Sequence, residues 1–512
     1  MKTLGDFSRL NARRCPGKVA VRMGDEALTF QDLDALSTSL ARSLIADGRG
    51  AGARIAILSQ NSPEFVIIAQ GVAKAGAILV PINTRFVGTE IVGVLTHCGA
   101  GVLFVEPEFL PILGDAVAGM ANPPDIILIR SGRSGPDGPA NLEDYIAASD
   151  RALSLPVVDP ATAAAIMYTS GTTGAPKGVM VSHEKYLRIF LAIAIEMEVR
   201  EPDVLQLAVP LFHNGGFASV LNPALMVGAT VVCYRGSFDA DRILSDVARH
   251  GVTLTHWVPT MLAMVTPVAK SGKYDLGTLR KIHYGAMPIA PELLAEACTV
   301  FKADFFQGYG TTDAGLISCL RPEQHRYHPG MTGRPVFNTL SRIIDAEGND
   351  VPIGAVGEIV VAAETSGMIG YWSDERATGD AIRDGWIYTG DMARQEEDGF
   401  FTIVERKNFM IISGGENIFP MEVEKVLASH PQISEVAVFG MKDAKFGEVV
   451  CAAVVPVSGA TVSLETIQDY CDGRIARYKI PRHLLVLDEL PRTAIGKVAK
   501  GALPALLSRH RT

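Results

Sequence analysis

Along the chain, short apolar runs rich in β-branched residues alternate with longer segments whose apolar positions recur every three or four residues. The runs at 54–58, 101–105, 125–129, 164–168, 204–209, 230–234 and 281–284 are bounded by turn residues, and each reads as a buried strand. Between them, 31–47 puts Leu33, Leu36, Leu40, Leu44 and Ile45 on one helical stripe, and 240–250 does the same with Ile243, Leu244 and Val247. Strands alternating with amphipathic helices predict βαβ units around parallel sheets. From about Gly357 the texture shifts to short strands between turns, at 358–362 and 400–404, which predicts a β-rich subdomain. Beyond Arg406 the pattern regroups into a loop at 413–417, a helix at 421–429 and strands at 435–439, 449–455 and 484–487, enough for a separate α+β core. The expected fold is therefore α/β, with a large N-terminal domain of parallel-type sheets and a β-rich subdomain over residues 1–407. A small α+β C-terminal domain is expected over 408–512.

Length supports more than one core, since 512 residues exceed what a single hydrophobic core serves. With 48% apolar and 20% charged residues, and glycine and proline spread along the chain, disorder is excluded as the general state. A net charge of −9 argues against a broad nucleic-acid surface but leaves room for a local phosphate pocket. The seven cysteines are scattered, odd in number and without metal-ligand spacing, which points to free thiols in a reducing compartment. No secretory h-region follows Met1, so the mature chain is expected to start there. The apolar stretch from Ile67 to Ile82 is interrupted by Gln70, Lys74, Gly76 and Pro81, too broken to span a bilayer. The composition thus predicts a soluble cytoplasmic protein without a membrane segment.

The candidate chemistry begins where the 164–168 strand ends. Thr169, Ser170, Gly171, Thr172, Thr173, Gly174, Ala175, Pro176, Lys177 and Gly178 pack four hydroxyls, three glycines and a lysine into ten residues. Glycines let backbone N–H groups turn toward an anion, hydroxyls add donors, and the lysine adds a point charge, so phosphate binding follows. The pattern is not that of P-loop nucleotidases, because Gly178 stands where a magnesium-holding hydroxyl is required. Further on, Gln307, Gly308, Tyr309, Gly310, Thr311, Thr312 and Asp313 join a flat aromatic, bare backbone, hydroxyls and a carboxylate. They suit either a nucleotide base with a metal-bound phosphate or an ordinary Gly-Tyr-Gly turn. Tyr388, Thr389, Gly390 and Asp391 likewise read as a capped turn or as a carboxylate accepting from ribose hydroxyls. Arg406 is a ribose contact or a boundary ion pair. Lys497, after Gly496, is a functional cation or part of a basic tail.

In this order and spacing the segments resemble those of the adenylate-forming superfamily, in its acyl-CoA and aryl-CoA synthetase branch, over essentially the whole chain. The resemblance implies an AMP-forming acid–thiol ligase that uses ATP, Mg2+ and CoA in a cleft between a large domain and a small mobile one. It implies that Thr169 to Lys177 hold the β- and γ-phosphates, and that Gly285, Ala286 and Gln307 to Tyr309 flank adenine. Gly310 and Thr311 line the same nucleotide site, and Thr312 touches the α-phosphate. Asp391 and Arg406 hold the ribose, and Lys497 is the catalytic cation for adenylation. Ser413 to Asn417, with Gly414, Gly415 and Glu416, is the segment past which CoA threads. Asp313 would ligate magnesium where the family usually has glutamate. Asn408, before Phe409, stands at a pivot position that is usually aspartate or lysine.

Phe212 and His213, with Asn214 behind them, resemble the Phe-His-x-x-Gly segment that borders the acyl pocket, and amino-acid-activating relatives commonly carry aspartate there. His213 is therefore expected to act at the acyl site. His256, Trp257, Met287 and Ile317 are its expected walls, with no arginine among the wall segments for a second carboxylate. The substrate expected is a hydrophobic monocarboxylic acid: fatty, alicyclic or aryl. Two other readings compete, a stand-alone acyl-adenylating enzyme that loads a carrier protein and a non-catalytic nucleotide-binding paralogue. The expected partners are the acid and CoA, with no nucleic acid and with a homodimer as the expected assembly.

Overall fold

The computed structural model describes residues 1–130, 140–169, 176–413, 416–443, 445–492 and 498–510. Its chain forms two compact units, Met1–Ser341 with Val361–Tyr388, and Arg342–Val360 with Thr389–Thr512. Among the described residues the first unit holds an eight-stranded and a nine-stranded sheet. The eight-stranded sheet runs in the order Gly370–Tyr371, Lys177–Ser182, Ala163–Thr169, Ile78–Pro81, Arg54–Leu58, Val102–Val105, Asp125–Leu128, Ala140–Asn141. The other runs Arg334–Pro335, Gly315–Leu320, Asp304–Thr311, Lys281–Gly285, Leu254–His256, Val204–Leu207, Thr230–Cys233, Val19–Met23, Glu26–Thr29.

The strand runs and both helical stripes of the first unit fold as expected, and local chemistry fixes their ends. The helix Phe30–Ala46 opens on a capping box, in which Thr29 Oγ1 accepts from the Asp32 N–H at 3.1 Å and Asp32 accepts from the Thr29 N–H at 3.0 Å. Asp239 caps Ala240–His250 with a single bond, its Oδ1 accepting from the Arg242 N–H at 2.9 Å, and Gly251 closes the helix in the left-handed region. The sheets are mixed and not purely parallel. Central strands pair parallel, as in Arg54–Leu58 with Val102–Val105, while Ala163–Thr169 with Lys177–Ser182 and Asp304–Thr311 with Gly315–Leu320 are antiparallel hairpins.

The stretch from Ile67 to Ile82 holds the end of a helix, Pro63–Ala75, and a buried strand, Ile78–Pro81. Lys74 is buried in that helix because its ammonium meets Asp34 Oδ1 at 2.6 Å and the Ser37 and Thr38 hydroxyls at 2.8 and 3.0 Å. Among the described residues no helix is long and apolar enough to cross a membrane.

The strand Trp386–Gln395 enters the second unit at Thr389, and there its residues Asp391 to Gln395 pair antiparallel with Phe401–Arg406. A five-stranded sheet orders Glu416–Ile418, Ile411–Ser413, Gly447–Pro456 and Ile433–Asp443, with His483–Val486 added parallel to Gly447–Pro456. Alternate residues of its strands face opposite ways. Val438, Val450, Ala452 and Val454 bury against the helices Pro420–Ala428 and Leu464–Cys471, while Phe439, Val449, Cys451 and Ala453 bury against Leu503–His510. This sandwich is an α+β core of its own.

Candidate active site

In the nine-stranded sheet, four neighbouring strands run parallel: Val204–Leu207, Leu254–His256, Lys281–Gly285 and Asp304–Thr311. Their carboxyl ends therefore share one edge of the sheet, the edge at which open α/β sheets bind ligands. Each end leads into residues expected at the site. Val204–Leu207 leads to His213 and Asn214, and Leu254–His256 ends in His256 and Trp257. Lys281–Gly285 leads to Ala286 and Met287, and Asp304–Thr311 leads to Thr312 and Asp313.

Gly285 and Gly308 are register partners, and a Cβ on Gly285 would stand 2.2 Å from the Gly308 carbonyl oxygen, so two bare backbones meet here. Ala286 follows with φ 68°, a left-handed conformation that costs a non-glycine residue about 1 kcal/mol. A bulge between Tyr309 and Gly310 turns the end of the last strand. Thr311 pairs with Gly315 across a tight hairpin, and Thr311 Oγ1 accepts from the Ala314 N–H at 3.0 Å, so Thr312 and Asp313 occupy the turn. Behind this end the Tyr284 hydroxyl lies 3.1 Å from Gln307 Oε1 and 2.9 Å from His325 Nε2.

The segment expected to bind phosphate is flanked by strands of the other sheet. Thr169 and Lys177 are the closing pair of its hairpin, while Ser170, Gly171, Thr172, Thr173 and Gly174 lie outside the described residues. One strap connects that hairpin to Asp313. The Met368 N–H donates to the Asp313 carbonyl at 2.7 Å, the Ile369 N–H donates to the Met180 carbonyl at 2.9 Å, and Tyr371 pairs with Val179. The Lys177 ammonium then sits 5.0 Å from the Tyr371 ring centroid, a cation–π contact that the sequence reading missed. Lys177 and Asp313 are thus fixed to one stretch of backbone.

Among the described residues no three His, Cys, Asp or Glu side chains gather as a metal cage. Magnesium that arrives with a triphosphate needs only one or two carboxylates besides phosphate oxygens and water. A single aspartate on a rigid turn fits that demand.

His213 Nδ1 accepts from the Gly215 N–H at 3.0 Å, capping the short helix Asn214–Gly216 and leaving the ring proton on Nε2. Asn214 Oδ1 accepts from the Tyr186 hydroxyl at 3.3 Å. His256 is buried, and burial together with nearby His213 pulls its pKa down to about 4. Trp257 packs in the core beside Phe301, ring centroids 5.3 Å apart, and its Nε1 donates to Gln206. Ile317 is fully buried in Gly315–Leu320, and Met287 is half-buried.

The second unit holds its candidates separately. Asp391 and Arg406 are register partners, with Arg406 Nε 2.7 Å from the Asp391 carboxylate. Tyr388 to Asp391 is therefore part of a strand, kinked at Gly390 with φ 72°. The carboxylate of neighbouring Glu405, which the sequence did not single out, accepts from the Met421 N–H at 3.0 Å and lies 3.4 Å from the Lys500 ammonium. Lys500 also meets Glu424 at 2.8 Å. Asn408 lies in the short 3-10 turn Lys407–Phe409. Glu416 pairs with Ser413 at the base of a hairpin, while Gly414, Gly415 and Lys497 lie outside the described residues.

Residues 8–372 match the family model described as AMP-binding enzyme, and 422–497 match the AMP-binding enzyme C-terminal domain. The chain is 38% identical to an indoleacetate–CoA ligase of Aromatoleum aromaticum, over 96% of each chain. It is 35% identical to a feruloyl-CoA synthase of an Amycolatopsis species, over 97% of this chain and 98% of that one. Among solved structures, the O-succinylbenzoate coenzyme A synthetase of Bacillus subtilis in complex with ATP and magnesium ion superposes with a TM-score of 0.84. It is 30% identical and covers 97% of this chain and 98% of its own.

Proposed function

The chain belongs to the AMP-binding enzyme family, and from that premise we propose how its residues divide the work and which acid they take. It is an ATP-dependent, AMP-forming acid–thiol ligase that uses Mg2+ and CoA. In the first half-reaction a carboxylate oxygen of the acid attacks the α-phosphorus of ATP. The bond from that phosphorus to pyrophosphate breaks, and acyl-AMP forms. In the second, the CoA sulfur loses its proton and attacks the acyl carbon, and the bond to AMP breaks. Two anions meet in the first step, so alignment and charge neutralisation dominate it.

In our reading Gly285, Ala286 and Gln307 to Tyr309 receive adenine. Thr169 to Lys177 bind the β- and γ-phosphates, Gly310 and Thr311 line the nucleotide site, and Thr312 contacts the α-phosphate. Asp313 would hold the magnesium ion, which spreads the triphosphate charge. Asp391, oriented by Arg406, receives the ribose. Lys497 supplies the cation for adenylation, with Gly414, Gly415 and Glu416 on the CoA side. His213 orients the acid by its Nε2–H. The observation that carries this reading is the shared edge of four parallel strands, together with the strap that ties Asp313 to the Lys177 hairpin. We place the functional boundary at 407, with residues 408–512 as the part that alternates between half-reactions.

The acid in this reading is a hydrophobic monocarboxylate. Apart from Thr255 and His256, the wall segments 255–259, 284–287 and 315–317 are apolar or aromatic, and none contains arginine; the relatives are named for indoleacetate and feruloyl acids. A cytoplasmic location is supported by seven free cysteines, and a homodimer is the assembly we assign, by the prevalence of two-fold pairs. AMP release measured with ATP, Mg2+ and a panel of carboxylic acids, with and without CoA, tests the reaction. CoA-dependent AMP release with a stoichiometric thioester is the expected result. Transfer only to a phosphopantetheinylated carrier protein, or absence of pyrophosphate exchange with every acid, would overturn it.

A further inference from the structure

Behind the strand ends assigned to adenine, four residues form one relay of hydrogen bonds. Tyr284 and Gln307 are register partners in neighbouring parallel strands, and the Tyr284 hydroxyl stands between Gln307 Oε1 at 3.1 Å and His325 Nε2 at 2.9 Å. His325 Nδ1 lies 2.8 Å from the Arg321 carbonyl oxygen. Arg321 is itself held at both ends. Its N–H donates to Gln324 Oε1 at 2.8 Å across the 3-10 turn Pro322–Gln324, and its guanidinium reaches Glu196 at 3.0 Å. The Tyr284 ring is fully buried, edge-on to Phe305 with 6.3 Å between centroids.

The direction of every bond in the relay follows from its far end. A carbonyl oxygen only accepts, so His325 Nδ1 carries the proton. Burial lowers the His325 pKa, which keeps the ring neutral and leaves Nε2 a bare acceptor. Tyr284 then gives its one proton to His325, and its oxygen can only accept from Gln307. A half-turn of the Gln307 carboxamide, which exchanges Oε1 and Nε2 in nearly the same space, satisfies this and directs the oxygen away from Tyr284. That end of the amide makes no hydrogen bond among the described residues and is not sealed from solvent. It belongs to the stretch where Gly285 and Gly308 bring two bare backbones together.

We propose that Tyr284 and His325 are positioning residues that aim the Gln307 oxygen at the base. The site thereby selects a purine with an amino group at carbon 6 over one with an oxygen there. This rests on the reading above in which Gln307 receives adenine, and adds what fixes the orientation of its amide. Adenine donates from its 6-amino group, whereas hypoxanthine presents an acceptor at the same place. A site built around a fixed acceptor rejects the analogue that lacks the donor.

The test is calorimetric titration of the full-length protein with ATP and with inosine triphosphate, in the presence of Mg2+ and without any acid. Wild type should bind ATP more tightly. In His325→Leu the hydroxyl proton loses its acceptor and passes to Gln307, which turns the amide nitrogen to the base. The ATP preference should then drop about tenfold to a hundredfold. Tyr284→Phe frees the amide to take either orientation and should give an intermediate ratio. Gln307→Glu in the His325→Leu background supplies an acceptor at both ends and should restore the preference, which repacking alone would not do. Should His325→Leu fail to fold, as judged by its melting curve, Tyr284→Phe decides by its ratio, since it deletes only a hydroxyl. Equal binding of the two nucleotides by wild type, the wild-type ratio in the folded single variants, or no recovery in the double variant overturns the inference while the ligase reading stands. Binding of neither nucleotide by wild type removes the nucleotide site, and with it both the ligase reading and the inference.

Discussion

Asp313 is shorter by one methylene than the glutamate usual at this position in the family, so its reach depends on where the backbone holds it. The hairpin turn closed by Thr311 and Ala314, and the Met368 N–H on the Asp313 carbonyl at 2.7 Å, fix that backbone from two sides. Asp313→Asn keeps the shape and removes the charge. Pyrophosphate exchange should fall about 100-fold or more and demand more Mg2+ for half-maximal rate, whereas Asp313→Glu should keep most of the activity. A magnesium titration checks this, and an asparagine variant with the wild-type Mg2+ dependence would refute the metal role. Asp313 was legible in the sequence because its motif joins glycines, hydroxyls and a carboxylate. The left-handed φ of Ala286 was not, since among residue types only glycine and asparagine advertise that conformation. Nor was the placement of Trp257 among Phe301 and its neighbours, because the face a strand-end aromatic takes is set by register with strands far away in sequence.

Elements were legible where their periodicity was simple. The helix Ala240–His250 has one apolar stripe and clear caps, and the structure keeps its predicted ends. The helix Pro63–Ala75 is buried on every side, so no polar face marks it, although Ser62, Pro63 and Gly76 are ordinary start and stop signals. Strand pairing carries a second kind of information that pattern cannot show. Lys281–Gly285 and Asp304–Thr311 approach so closely at Gly285 and Gly308 that a methyl group would meet a carbonyl oxygen at 2.2 Å. Gly285→Ala must push the two strands apart at the assigned adenine edge. The expected cost is about 1–3 kcal/mol of stability, read as a lower urea midpoint at unchanged slope, with a smaller thermal shift on adding ATP. A variant as stable as wild type and equally stabilised by ATP would remove this edge from the nucleotide site.

At the scale of the molecule, the sequence reading places one boundary at 407, whereas the contact-defined units exchange chain after Ser341, Val360 and Tyr388. Arg342–Val360 joins the second unit and Val361–Tyr388 the first. Pairings such as the Gly390 N–H on Glu358 at 3.1 Å join segments that are distant along the chain, so local patterns give no sign of them. If residues 408–512 serve the two half-reactions in turn, Lys497→Ala should abolish acyl-adenylate formation from ATP and acid. Thioester formation from supplied acyl-AMP and CoA should survive, and equal loss in both would refute the assignment. The units should also differ in their response to acid. His183, His256 and His283 are buried in the first unit, and burial lowers their pKa values to about 4, 4 and 3. In the unfolded chain each takes up its proton near pH 6.5. Between these limits the unfolded state binds more protons, so their stabilising contribution is complete above about pH 6.5 and declines as pH falls toward 4. In the second unit, Glu424 has a pKa raised by burial, and that change runs the other way, favouring the folded form on acidification. Hydrogen exchange followed from pH 7 to pH 5 should therefore show protection falling first around residues 254–285. Protection at 433–456 should outlast it, and loss in the reverse order would show that the buried histidines do not govern the acid response.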